Sequence, residues 1–382
     1  MKRSRGFTLV ELMVGITLGL LLTAAIGSVY VGVRQGYRTT TGISGESDSA
    51  RFAMETLARA LRSSGYIGCN SAARTTDNFQ NHPAYLSSFA GNGTAGGNPV
   101  SGFEASGSNP AQTLILAAAA NGDGSAGDWT PNLPSGTAYS LLGNVVAGSD
   151  VLVVYGSRPD QTPAPVTTVG TNNLTLTKPS GYSTLSGFLP AGAIAVISDC
   201  SKGTAFQVTA VDDAANTITH AANGTMNMGN ANDSFAINYN SGALVYVPSV
   251  TFFYIGVGSD GDGALFKSDL KCDSTGNCAL AATELAPDIE NMQLLFGVNP
   301  TIKGGATSYV RADQVTGVCT DGSWNCVASV SLALLVASPL NTAPPPSATQ
   351  QYSLLGTKIN APVDTRHRKV YAQTVALRNS LP

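Results

Sequence analysis

Six cysteines, Cys69, Cys200, Cys272, Cys278, Cys319 and Cys326, have the plainest chemistry open to them in this chain of 382 residues. Thiols ligate metals, cycle electrons or lock pairwise into disulfides, and their spacing separates these uses. Cys272 and Cys278 enclose Asp-Ser-Thr-Gly-Asn, and Cys319 and Cys326 enclose Thr-Asp-Gly-Ser-Trp-Asn, both turn-forming stretches. Neither gap is the roughly two to four residues usual between zinc-binding thiolates. A structural disulfide is therefore expected within each pair, which leaves Cys69 for Cys200, and no metal is expected on the thiols.

Other candidates carry less. Asp260 and Asp262 in GSDGDG invite calcium, but the twelve-residue loop with its terminal Glu is missing, and a hairpin turn is the better reading. Gly256, Gly258 and Gly261, and again Gly91, Gly93 and Gly96, match a phosphate-binding spacing. The first set runs into another strand and the second lies in low-complexity loop, so neither opens a helix that would hold a phosphate. His82, His220 and His367 fall in no paired motif, and no nucleophile elbow is present. The chain is not expected to be an enzyme or to hold a cofactor. Arg366-His367-Arg368-Lys369 reads as a solvated strand entrance rather than a DNA patch. With 21 Lys+Arg against 24 Asp+Glu, a net charge of -3, no nucleic-acid surface is expected.

One carboxylate stands out by its setting. From Phe7 to Val33 the only charge is Glu11, and the 22 residues from Leu12 to Val33 contain none. At about 1.5 Å per residue they make roughly 33 Å of helix, enough for a bilayer core of about 30 Å. Lys2, Arg3 and Arg5 precede the span, which predicts a cytoplasmic start and an exported remainder. A carboxylate at that depth costs on the order of 3 kcal/mol without a partner. A cut between Gly6 and Phe7 would free an α-amine one helical turn from Glu11, or within reach of it on a neighbouring subunit.

The run Gly6-Phe7-Thr8-Leu9-Val10-Glu11-Leu12 resembles the type IV prepilin signal. The resemblance implies that a prepilin peptidase cuts after Gly6 and methylates Phe7, that the apolar segment stays on a mature chain of 376 residues, and that Glu11 docks on the amine of another subunit. Three head stretches are similar to the PilW family of minor pilins and to the J-type minor pseudopilin of type II secretion. They are Ile197–Cys200 with Ala205–Thr209, Glu284–Val298, and Tyr371–Leu381. The likeness implies an α+β, type IV pilin-like fold: a long N-terminal helix and a predominantly antiparallel β head carrying long loops.

The expected organisation is a leader at 1–6, a transmembrane and assembly helix at 7–33, its amphipathic continuation at 34–62 and a β-rich head at 63–382, periplasmic and then extracellular. Ala50, Ala53, Leu57, Ala60 and Leu61 recur at three- and four-residue spacing in the second segment. Gly15 and Gly19 stand four apart, the spacing that lets helices approach closely in lipid. The span has no proline of the kind major pilins often carry. Apolar runs such as VLVVY, AIAVIS, SVTFFYI and VASVSLALLV predict strands, while 70–140 reads as surface loop and APPPSA as an extended one. The resemblance implies partners: other minor pilins, the major pilin, the prepilin peptidase, the inner-membrane assembly platform and a tip adhesin. The implied function is priming of the pilus from the inner membrane and residence at its tip. Alternatives are a secretion pseudopilin, which would share the helix and the fold, and a DNA-uptake or adhesion pilin.

Overall fold

A computed structural model describes residues 8–67, 70–71, 75–80, 98–116, 128–131, 145–158, 161–222, 229–272, 278–300, 304–319 and 324–379. One unbroken helix runs from Leu9 to Ser63. Its start is set by Thr8, whose side chain accepts from the backbone N–H of Glu11 while Glu11 returns a bond to the Thr8 backbone, a reciprocal cap. Without proline or an inserted residue, nothing breaks the ladder of backbone bonds, so the span does not kink.

The head is built of sheets stacked in layers, and the central strands show why they are buried. In Val151–Ser157, Leu152 and Val154 join the core against the helix, while Val151, Val153 and Tyr155 join a second core on the other face. Successive strand residues point to opposite faces, so a near-continuous apolar run belongs between two layers. Ile194–Ser198 repeats the pattern, with Ile194 and Val196 in the second core and Ala195 and Ile197 in a third. In Val327–Ala337, Val330, Leu332, Leu334 and Val336 face the helix, and Ala333 and Leu335 face a small three-stranded sheet.

Nearest the helix lies a four-stranded antiparallel sheet in the order Ser308–Val310, Ile289–Val298, Val327–Ala337, Arg368–Ala376. Behind it come a six-stranded sheet centred on Pro248–Val257 and Val151–Ser157, and an eight-stranded sheet centred on Ala164–Val169 and Leu244–Tyr246, with Ile194–Ser198 next in order. Pairing is antiparallel except where Thr75–Asp77 joins Gly203–Gln207 and Thr113–Ile115 joins Thr357–Ala361. The loop at 148–150 fastens the first two sheets. Buried Asp150 accepts backbone N–H bonds from Ala105 at 2.9 Å and Leu294 at 2.8 Å, and Asn291 and Gln293 both donate to the Gly148 carbonyl.

Expectation and structure part at 70–140. The described part of that region contributes core: Val100–Ala105 is a strand of the six-stranded sheet, and Phe79 and Trp129 are buried. The stretches at 81–97, 117–127 and 132–144 lie outside the described residues.

Candidate assembly site

The helix divides into two lengths with different surroundings. Leu9 to Arg38 is exposed at every residue, and no other described part of the chain covers it. Thirty residues at about 1.5 Å make roughly 45 Å, the thickness of a bilayer with its headgroups. By length and composition this helix can cross a membrane. The hydroxyls of its apolar stretch are satisfied within it: Thr17 and Thr23 donate to carbonyls one turn earlier, as does Ser28 to Ala25. That is the requirement lipid imposes on a span. Gly15 and Gly19 sit on this open surface, with no described atom of the rest of the chain near the place a Cβ would take.

At the start of this length the Glu11 carboxylate accepts from the Thr8 backbone N–H and from the Thr8 hydroxyl, both at 2.9 Å and both through Oε2. The acid that sequence reasoning could match only with an amine therefore has a neutral partner inside its own chain. Gly6 and Phe7, the expected cleavage and methylation positions, lie outside the described residues.

The second length is clamped. A side chain at Gly42 would collide with Thr342, and the Thr39 hydroxyl donates to the Thr342 carbonyl at 2.6 Å. One turn on, Glu46 is fully buried and its Oε2 lies 2.7 Å from Nδ1 of His367. Ser47 reaches the hydroxyl of Tyr371. Above this neck Ala50, Ala53, Met54, Leu57, Ala58 and Leu61 form the buried stripe, with Ala60 packed at its margin. The sequence located that stripe by its spacing. It missed the neck, because Glu46 and Gly42 look like ordinary polar-face residues until the loops at 339–343 and 362–367 close on them.

Those loops also correct the reading of Arg366–Lys369. Arg366 lies 2.6 Å from Asp262 and 3.7 Å from Asp288. Arg368 is buried between Glu290 and Asp364, at 2.7 and 2.6 Å, and these carboxylates hold its guanidinium above its usual range against the cost of desolvation. Both arginines of the run are thus neutralised inside the protein rather than solvated. Asp260, Asp262 and Asp288 bring ligand atoms within 4.8 Å of one another, and it is Arg366 that supplies their positive charge. Burial, ahead of the neighbouring charges, pushes Asp288 up to about 6.

Cys319 and Cys326 are joined, with Cα atoms 5.6 Å apart, closing the loop after the short helix Ala312–Val318. Cys272 and Cys278 stand directly opposite each other at the end of the hairpin of Gly263–Cys272 and Cys278–Pro287. Cys200 is disulfide-bonded, and its expected partner Cys69 lies outside the described residues. His220 is sealed between the rings of Phe206 and Phe235, and His82 lies outside the described residues.

Comparison with known proteins places two regions. Residues 252–379 match the family model described as type IV pilus-assembly protein W, and residues 1–27 match the prokaryotic N-terminal methylation motif. No curated protein matches the chain. Among solved structures, a type IV-like pilin from Thermus thermophilus is similar at 16% identity, over 50% of this chain and 85% of that one, with a TM-score of 0.22.

Proposed function

We propose that this chain, carrying a type IV pilus-assembly protein W region behind a prepilin-type methylation motif, is a minor pilin that primes the type IV pilus and stays at its tip. The observation that carries the reading is a thirty-residue uncovered length of helix, uncharged from Leu12 to Val33, below a head that clamps its upper half. Such a surface is stable in lipid, and in water only when other helices cover it. In this reading the chain waits in the inner membrane, with the leader inside and the head in the periplasm. Cleavage after Gly6 and methylation of Phe7 prepare the end, and Gly15 and Gly19 let a neighbouring helix approach.

Glu11 then sets the axial register. Its bonds to Thr8 stabilise the carboxylate while the subunit is alone. The charged amine of a neighbouring subunit brings what Thr8 lacks, an opposite charge that compensates the carboxylate in lipid. Capture of that amine therefore favours the axial offset that brings it to Glu11. The remaining partners in this account are the other minor pilins, the major pilin, the prepilin peptidase, the assembly platform and an adhesin above the head.

The test is the amount of major pilin sheared from cells lacking this gene, against complemented cells. A large drop is expected. An unchanged amount would overturn the priming role and favour a pseudopilin of type II secretion.

A further inference from the structure

Arg368–Ala376 is an edge strand of the four-stranded sheet and pairs only with Val327–Ala337. Among the described residues nothing pairs with its other side. Proteins usually blunt such an edge with charge, a bulge or a covering loop. Here the nine-residue strand pairs in continuous register, and Val370 to Ala376 contains no charge. Alongside it the helix and the strand enclose a groove of about 420 Å³. The floor is Ala50, Met54 and Ala58, and the exposed side chains of Arg51 and Arg62 stand at its rim with Ala372 opposite. Neither arginine has an ion-pair partner among the described residues, whereas Glu55 between them is bound to Arg59 at 2.9 Å.

The direction of the strand selects what pairs with it. His367 meets Glu46, Tyr371 meets Ser47, and Asn379 meets Ser64, so the strand ascends beside the helix, away from the membrane end. Antiparallel pairing of this edge with itself would set two membrane helices in opposite orientations. An incoming antiparallel strand must run toward the membrane. The far edge of the same sheet, Ser308–Val310, has that polarity in this chain and is an example of the type.

We propose that the outer edge of Arg368–Ala376 and the groove beside it receive an edge strand from the head of another membrane-anchored pilin-type subunit, running toward the membrane and bearing a carboxylate opposite Arg51 or Arg62. Main-chain bonds supply the affinity and the groove selects the side chains, as in other strand additions. The inference rests on the pilus reading and names the lateral contact of the head within it.

Photo-cross-linking of the full chain in cells tests it, with p-benzoylphenylalanine at Ala372 and, as a remote control, at exposed Thr167. The expected product joins position 372, and not 167, to a head strand of another helix-anchored chain. It should be lost in Arg51→Glu with Arg62→Glu, while the melting temperature of that variant is unchanged. Cross-links from 372 to the same strand of a second copy, to helices alone, or to no protein would overturn the proposal. If sheared pilin falls on deletion yet 372 gives no such product, the strand contact fails and the pilus reading stands. If sheared pilin is unchanged, the pilus reading itself fails.

Discussion

The two lengths of the helix are one continuous element in two different solvents. From Leu9 to Arg38 apolar side chains point in every direction and nothing described covers them, whereas from Gly42 to Ser63 they narrow to a single stripe against the sheets. In the first length Thr17, Thr23 and Ser28 turn their hydroxyls onto carbonyls of the helix itself. The second is held by packing and by side chains that come from more than 300 residues away, such as Thr342 and His367. On the proposed function, the contrast makes stability and assembly separable. Changes above the neck should unfold the head, and changes below it should leave the head intact while altering how subunits meet.

Arg368→Ala would break that division most forcefully. It strands Glu290 and Asp364 in a buried site, and loss of about 3 to 5 kcal/mol is expected in chemical denaturation of the purified chain. Leu61→Ala, in the fully buried stripe, should cost about 2 to 5 kcal/mol. Gly42→Val forces a side chain into Thr342 and should cost about 1 to 3 kcal/mol, loosening the neck without touching the core above it.

A pH series sharpens the comparison further, because the head hides acids that the lower helix does not. Burial raises Glu104, with repulsion from Asp150 adding to it, and burial raises Asp150 as well. A carboxyl raised by folding gives stability that is complete below its unfolded value and is lost as pH climbs toward its folded one. Burial pulls His220 down to about 4, which works the other way: that stability is lost as pH falls below the ordinary histidine range. Glu104→Gln should therefore lessen the loss of stability on going from about pH 5 to about pH 8, leaving the His220 limb in acid unchanged. Thermal melts of both proteins across that range check it. The smallest effect belongs below the neck, where Leu18→Ala should leave head stability within about 0.5 kcal/mol of the parent.

Much of this arrangement was legible in the residues. Leu57 and Leu61 declared the buried stripe by their spacing, VLVVY and VASVSLALLV declared strands, and the turn residues between Cys319 and Cys326 declared a local disulfide. What escaped depends on distant closure. Val100–Ala105 hides between Gly-rich stretches and is a strand only because Val151–Ser157 offers it a ladder. Arg366 and Arg368 look solvated until Asp262, Glu290 and Asp364 arrive from other turns. Glu11 was recognisable as an acid needing a partner, and the Thr8-x-x-Glu11 spacing ahead of the apolar run was the local sign of a reciprocal cap, passed over in favour of a distant amine.

The most direct measurement pairs two readouts on Glu11→Ala: the melting temperature of the purified protein and the major pilin sheared from cells carrying the variant. The account predicts an unchanged melt with a large fall in surface pilin. Normal surface pilin from a stably expressed variant would contradict it.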